Sequence, residues 1–235
     1  MRFFILAAAL LATALSGPVA IAQQTQAPAT VRSAEAVEAA RAVMRLLLID
    51  SGAIPIAVEQ AFSSQLPEMR RSIMAAPFFS SLHATRQQAL TAYLETLPSV
   101  VNEELQAVLP TVVEAAAQEM LTLFTDREIV DISSFMRSDA ARETIVRSVL
   151  GGVNAHFGGP QEPELTAEES AAFAAFEATP SGMAFAAKSA AFNAAMERTI
   201  STGFMSVVPA LQSRMLRDMC DIMGDQCPAH MQQRT

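Results

Sequence analysis

The chain has no tryptophan, one tyrosine and two cysteines in 235 residues, and Lys188 is the only lysine among its sixteen basic residues. Runs of alternating β-branched residues are missing, and so are Asn-Gly and Asp-Gly turns, which leaves little basis for a β-sheet. The sequence also lacks a G-x-S-x-G elbow, a P-loop and an H-E-x-x-H pair. Its glycine pairs, Gly151-Gly152 and Gly158-Gly159, follow no strand signal and make no dinucleotide fingerprint. Basic residues are outnumbered 16 to 24, for a net charge of −8, and no basic patch offsets the excess. Such a surface repels nucleic acid and disfavours docking on anionic lipid.

What is present favours helices. Half the chain is apolar, 51%, against 17% charged, enough apolar content for a packed core. Ala, Leu, Met, Glu, Gln and Arg dominate, all good helix formers. The expected fold is all-α: a multi-helix bundle of antiparallel helical hairpins.

Residues 1–22 read as an export signal. Met1-Arg2 is a short positive start, Phe3 to Leu15 is apolar, and Ala20-Ile21-Ala22 fits the small-x-small cleavage rule, with Gln23 as first mature residue. The alternative is an uncleaved anchor, but the apolar run is shorter than the ~20 residues a spanning helix needs. No cysteine lies near the cleavage site, so lipid attachment there is excluded. The expected location is the bacterial periplasm or the medium, and the mature chain is expected not to be an integral membrane protein. Residues 23–32 read as a flexible mature N-terminus.

Residues 33–123 form an N-terminal helical region. Ser33 caps a helix to about Asp50, ended by Ser51-Gly52, and a second runs from about Pro55 to Ala75 with a kink or split expected at Pro67. Thr85 starts a third; Pro98 is expected to begin a new segment and Pro110 to interrupt it. The stretch 151–164 holds four of the nine glycines and two of the twelve prolines. It reads as the main loop and a candidate hinge.

A shift of 41 residues superposes the segment 124–150 on the start of 165–235. Thr125 and Glu128 fall on Thr166 and Glu169, Phe135 on Phe176, Ser138 on Thr179, and Arg147 on Lys188. T-x-x-E is a capping box, in which threonine accepts from the N3 amide and glutamate reaches back to the cap amide. Ser138 and Thr179 are placed to cap the next helix, with Pro180 in the favoured first position. Each copy therefore reads as a helix, a tight turn and a second helix. In the second copy Phe185, Ser189, Phe192, Met196, Ile200 and Phe204 form a stripe to be buried.

These residues carry a resemblance. Leu165-Thr166-Ala167-Glu168-Glu169, Phe176, Thr179-Pro180-Ser181-Gly182 and Lys188 resemble the core of the exported helical bacterial family named domain of unknown function 2059. That core reads F-T-x-x-E-L, an aromatic, then S-P-x-G and a helix with a lysine. The first copy matches the first half, but Asp139-Ala140-Ala141 departs from the P-x-G turn. The resemblance covers about 123–205. It implies an all-helical exported protein and supplies no catalytic residues.

Cys220 and Cys227, the only cysteines, flank Gly224, at which the chain can reverse. In an oxidising compartment they are expected to pair as a disulfide. The alternative, a redox dithiol, lacks the C-x-x-C spacing. A sulfur-rich copper site from Met215, Met219, Met223, His230 and Met231 with these thiols is a further reading. Against it, the methionines recur at i, i+4, i+8 as a core stripe does. His83, His156 and His230 share no ligand spacing. Adjacent acids such as Glu103-Glu104 point to different helix faces and read as solvated or capping.

No catalytic, cofactor or metal residue is assigned on this basis. The expected function is an exported, non-enzymatic binding or protein-interaction module for an envelope protein or hydrophobic ligand. The alternatives are an envelope-related enzyme with an unfamiliar site and the copper reading.

Overall fold

The computed structural model describes residues 32–156 and 165–227, and among these every regular element is helical. The order is α1 (Ala34–Arg45), a wide π turn (Leu46–Asp50), α2 (Ala53–Ala75), α3 (Pro77–Ser81), α4 (Ala84–Leu123), α5 (Asp126–Met136), α6 (Asp139–His156), α7 (Ala167–Glu177), α8 (Pro180–Met205), α9 (Val208–Met223) and a 3₁₀ turn (Gly224–Gln226). The all-α expectation is met. Among the described residues no helix is long and apolar enough to cross a membrane. The export signal lies outside the described residues.

The chain divides into two compact units that interleave in sequence. The first takes in Met1–Ala57 and Leu109–Gly203, the second Val58–Val108 and Phe204–Thr235. Residues 33–123 are thus shared between the units.

In the first unit Ser33 caps α1 by accepting from the Ala36 amide at 3.2 Å. Glu35 in the first turn and Arg45 in the last suit the helix dipole. The face Ala36, Ala40, Val43 and Met44 is fully buried, and α1 packs on α5. Asp126 fixes this crossing at its start. Its carboxylate accepts from the Ser33 amide at 2.7 Å and from Arg32 at 2.9 Å. Those partners, the Ser33 amide foremost, hold Asp126 below the usual carboxylate range. After α1 the backbone widens into the π turn, which buries Leu46, Leu47 and Leu48 together. Gly52, at φ +67°, then reverses the chain.

Prolines do not break the helices as expected. Pro67 lies inside α2, and α4 runs on through both Pro98 and Pro110. A helix-interior proline costs about 3 kcal/mol, through a lost hydrogen bond and a clash with the preceding turn. Leu94, Leu97 and Val100 are buried around Pro98, and Leu109, Val112 and Val113 around Pro110. Burying each such side chain is worth roughly 1.5–3 kcal/mol, so three outweigh one proline. Residues 151–156 of the expected 151–164 loop are helical, as the end of α6. Gly151 and Gly152 are buried inside α6, held by Val149 and Val153 one turn apart. The rest of that expected loop, 157–164, lies outside the described residues.

In the second unit Phe79, Leu82, Leu90, Met223 and Cys227 form a compact cluster. Tyr93, Met219 and Ile222 pack against its edge.

Candidate interaction site

Thr125 and Thr166 both stand at helix starts. The Thr125 hydroxyl accepts from the Glu128 amide at 3.4 Å, and the Glu128 carboxylate accepts from the Thr125 amide at 2.7 Å. Thr166 and Glu169 repeat this at 3.2 and 2.8 Å. Both capping boxes are complete.

Each glutamate also reaches a cation on another helix. Glu128 of α5 takes Lys188 of α8 at 2.8 Å. Glu169 of α7 is paired with Arg147 of α6 and accepts from the Thr144 hydroxyl at 2.7 Å. The exchange is reciprocal, because Arg147 and Lys188 occupy matching places in the 41-residue alignment. The Thr144 hydroxyl first, then the Thr166 amide, hold the Glu169 carboxyl down at about 2. For Glu128, burial pushes upward, but the Lys188 ammonium and the Thr125 amide outweigh it and lower the value. Lys188 also lies over the Phe124 ring, 5.1 Å from its centre. Phe124 in turn contacts Phe185 and Phe192 of α8.

Between α5 and α7 the matching phenylalanines meet. Phe135 and Phe176 stack with centres 4.1 Å apart, and Phe173 meets Phe135 edge-on at 5.0 Å. All three are only partly buried. Ser181 donates to Asp131 across the same pair of hairpins at 2.6 Å.

The turns between the helices differ. Thr179 accepts from the Gly182 amide at 3.0 Å and behaves as a cap, behind Pro180. Both hydroxyls also donate back to the preceding helix, Ser138 to the Phe135 carbonyl and Thr179 to the Phe176 carbonyl, at 2.7 Å each. Gly182 presses so closely on the end of α7 that a Cβ there would run into the Phe176 carbonyl. Its counterpart Ala141 carries a Cβ and is fully buried.

The outer faces differ more. Ile129, Ile132, Ser133 and Met136 of α5 are buried, and α1 packs on that helix. No residue of α7 is buried, although it is mostly alanine and phenylalanine. Ala171, Ala174, Ala175 and Ala178 are exposed along it, and Met183 just beyond is 57% exposed. The α8 stripe does go inside: Ser189, Phe192, Met196, Ile200 and Phe204 are buried, and Phe185 is partly so.

In the second unit the single tyrosine, Tyr93, donates to Asp218 at 3.0 Å. Burial first, then that carboxylate, push the phenol up. Arg214 binds Glu104 and Glu103 at 2.7 Å each. The adjacent acids, read from sequence as solvated or capping, converge on one guanidinium because its fork presents two donor edges.

Cys220 and Cys227 are bonded, with Cα atoms 5.0 Å apart, and no free cysteine remains. The copper reading thereby has no thiolate to use, and Met223 is fully buried in the Phe79 cluster. His230 and Met231 lie outside the described residues, as does the side chain of His156; His83 is exposed.

Neither a family model, nor a curated protein, nor a solved structure matches the chain.

The sequence reading missed the second partner of each glutamate. The signal was present in the alignment of Arg147 with Lys188, a cation at the same place in each copy. It also missed Asp126, Thr144 and the Tyr93–Asp218–Arg214 set, whose partners are remote in sequence.

Proposed function

We propose that this is an exported, non-enzymatic helical binding module that receives a helix of a partner protein on α7. One observation carries the reading: α7 is apolar and capped like α5, yet buries none of its residues. The fold supplies the precedent. On α5 the corresponding cover is α1, a helix whose buried residues include Ala36, Ala39 and Ala40. The exposed alanines of α7 allow a similarly close approach. Glu168 stands exposed in its first turn, on a chain of net charge −8. The partner helix is therefore expected to present small residues flanked by basic ones. Exposed apolar faces of this kind mark interaction surfaces.

The same reading takes the chain as exported through residues 1–22 and as built from a duplicated hairpin. It also takes the chain as a relative of the domain of unknown function 2059 proteins. The last point rests on the sequence pattern that Thr166, Glu169, Gly182 and Lys188 carry.

Photo-crosslinking in producing cells tests it. A benzophenone amino acid at Ala175 is expected to trap a partner whose crosslinked segment is helical and rich in small residues. The exposed Thr122 is the control site. Ala175→Glu should abolish binding of that partner to the purified mature chain, which should start at Gln23 by mass spectrometry. Equal trapping at Thr122, or binding unaffected by Ala175→Glu, would overturn the reading.

A further inference from the structure

The disulfide encloses Met223 and the Gly224–Gln226 turn, and its position suggests more than a staple. The residues inside the loop reach outward to the junction of α3 and α4. Asp225 pairs with Arg86 at 2.5 Å, and the Gln226 side-chain oxygen accepts from Arg86 at 3.1 Å. The same oxygen accepts from the His83 amide at 3.3 Å, while the Gln226 amide donates to the Ser81 carbonyl at 3.0 Å. Ser81 ends α3 and His83 immediately precedes α4, so Gln226 satisfies terminal backbone groups of two helices from a distant part of the chain.

The turn fits only one residue type at its start. Gly224 has φ +57°, and a Cβ there would lie 3.0 Å from the Arg86 guanidinium. Beneath the turn, Met223 and Cys227 are buried with Phe79, Leu82 and Leu90. Cys220 is partly exposed and Cys227 is buried. Cys220 is thus the more accessible of the two and lies at the edge of the apolar cluster that buries Cys227. The closed loop is short, so its bond constrains the whole unfolded chain little and acts mainly on this corner.

We propose that the Cys220–Cys227 bond is a redox-sensitive latch. A dithiol reductant that opens it releases the Gly224–Gln226 turn from Arg86, Ser81 and His83 and uncovers the Phe79–Leu82–Leu90 cluster. One thiolate of the reductant attacks the Cys220 sulfur. The protein S–S bond breaks, and its electron pair leaves on the Cys227 sulfur, which takes up a proton. The second reductant thiolate then attacks its own bridged sulfur. It leaves as a cyclic disulfide, and Cys220 becomes a thiol. The protein gains two electrons and two protons, and the dithiol loses them.

Hydrogen exchange on the full mature chain, before and after reduction with dithiothreitol and alkylation, reads the latch directly. Reduction is expected to speed amide exchange roughly tenfold or more over 79–90 and 219–227, with 126–150 unchanged. Binding of an anilinonaphthalene dye should rise in parallel. The Gln226→Ala variant, with its bridge intact, should speed exchange at 79–86 alone, which separates loss of the cap from a blocked refolding of the reduced chain. Unchanged exchange after reduction would overturn the proposal, as would loss of protection spread evenly over the whole chain.

Discussion

Two helices of the first unit, α5 and α7, start from nearly the same instructions and end in different surroundings. Both open on threonine with glutamate three residues on, both first helices span eleven residues, and both close their capping boxes. Yet α5 lies under α1, whereas α7 packs on α6 without fully burying any residue. A few side chains decide this. Asp126 anchors the start of α1 through Ser33 and Arg32, and its counterpart is Ala167, which has no carboxylate to offer. Ile129 and Met136 give α5 an apolar outer face, where α7 has Ser170 and Glu177. Local capping fixes where a helix begins. The side chains on its far face decide whether it acquires a cover.

The turns offer the sharpest way to break the comparison. Gly182→Ala forces a methyl group into the Phe176 carbonyl, and backbone must move to admit it. The expected loss is about 2–3 kcal/mol, as for an overpacked core. The mirror change, Ala141→Gly, only loosens a helix start and should cost about 1 kcal/mol. Urea denaturation of both variants measures the difference; equal losses would mean that the two turns are equivalent after all.

The aromatic stack joins α5 and α7 across the difference. Phe135→Ala and Phe176→Ala are expected to destabilise by about 1–2 kcal/mol each, less than a buried phenylalanine because both rings are partly exposed. A double-mutant cycle should return a coupling of about 0.5–1.5 kcal/mol. Strict additivity would mean that the rings are neighbours without being partners.

The smallest effect concerns acid. Glu169 has its folded value near 2, below the ordinary 4.5, so it binds its proton less readily when folded. Its contribution to stability is complete above pH 4.5 and is lost as the pH falls towards 2. Glu128 shifts in the same direction. Urea midpoints followed from pH 6 downwards should fall less steeply in Glu169→Gln than in the parent between 4.5 and 2. An identical slope would show that the Thr144 and Arg147 contacts do not bind the ionised form more tightly.

Much of this was legible in the residues. Thr125 and Thr166 announce helix starts because a capping box needs only four consecutive positions. Gly224 announces an end for the same reason, and the cysteines flanking it announced their bond. The prolines misled because their cost is read from one position, whereas the burial of Leu94, Leu97 and Val100 around Pro98 is settled only by the fold. Gly151 and Gly152 misled similarly, being tied into α6 by buried valines on either side.

The amino-acid order alone settled that the chain is helical, where most of its rods begin, and that matching caps recur 41 residues apart. Those features depend on neighbours within one helical turn, where side-chain chemistry acts directly on the backbone. Only the tertiary structure decided that Glu128 would meet Lys188 while Glu169 met Arg147, that α1 would cover α5, and that α7 would stay open. Such outcomes depend on which surfaces exclude water together, and no short window of sequence contains both surfaces.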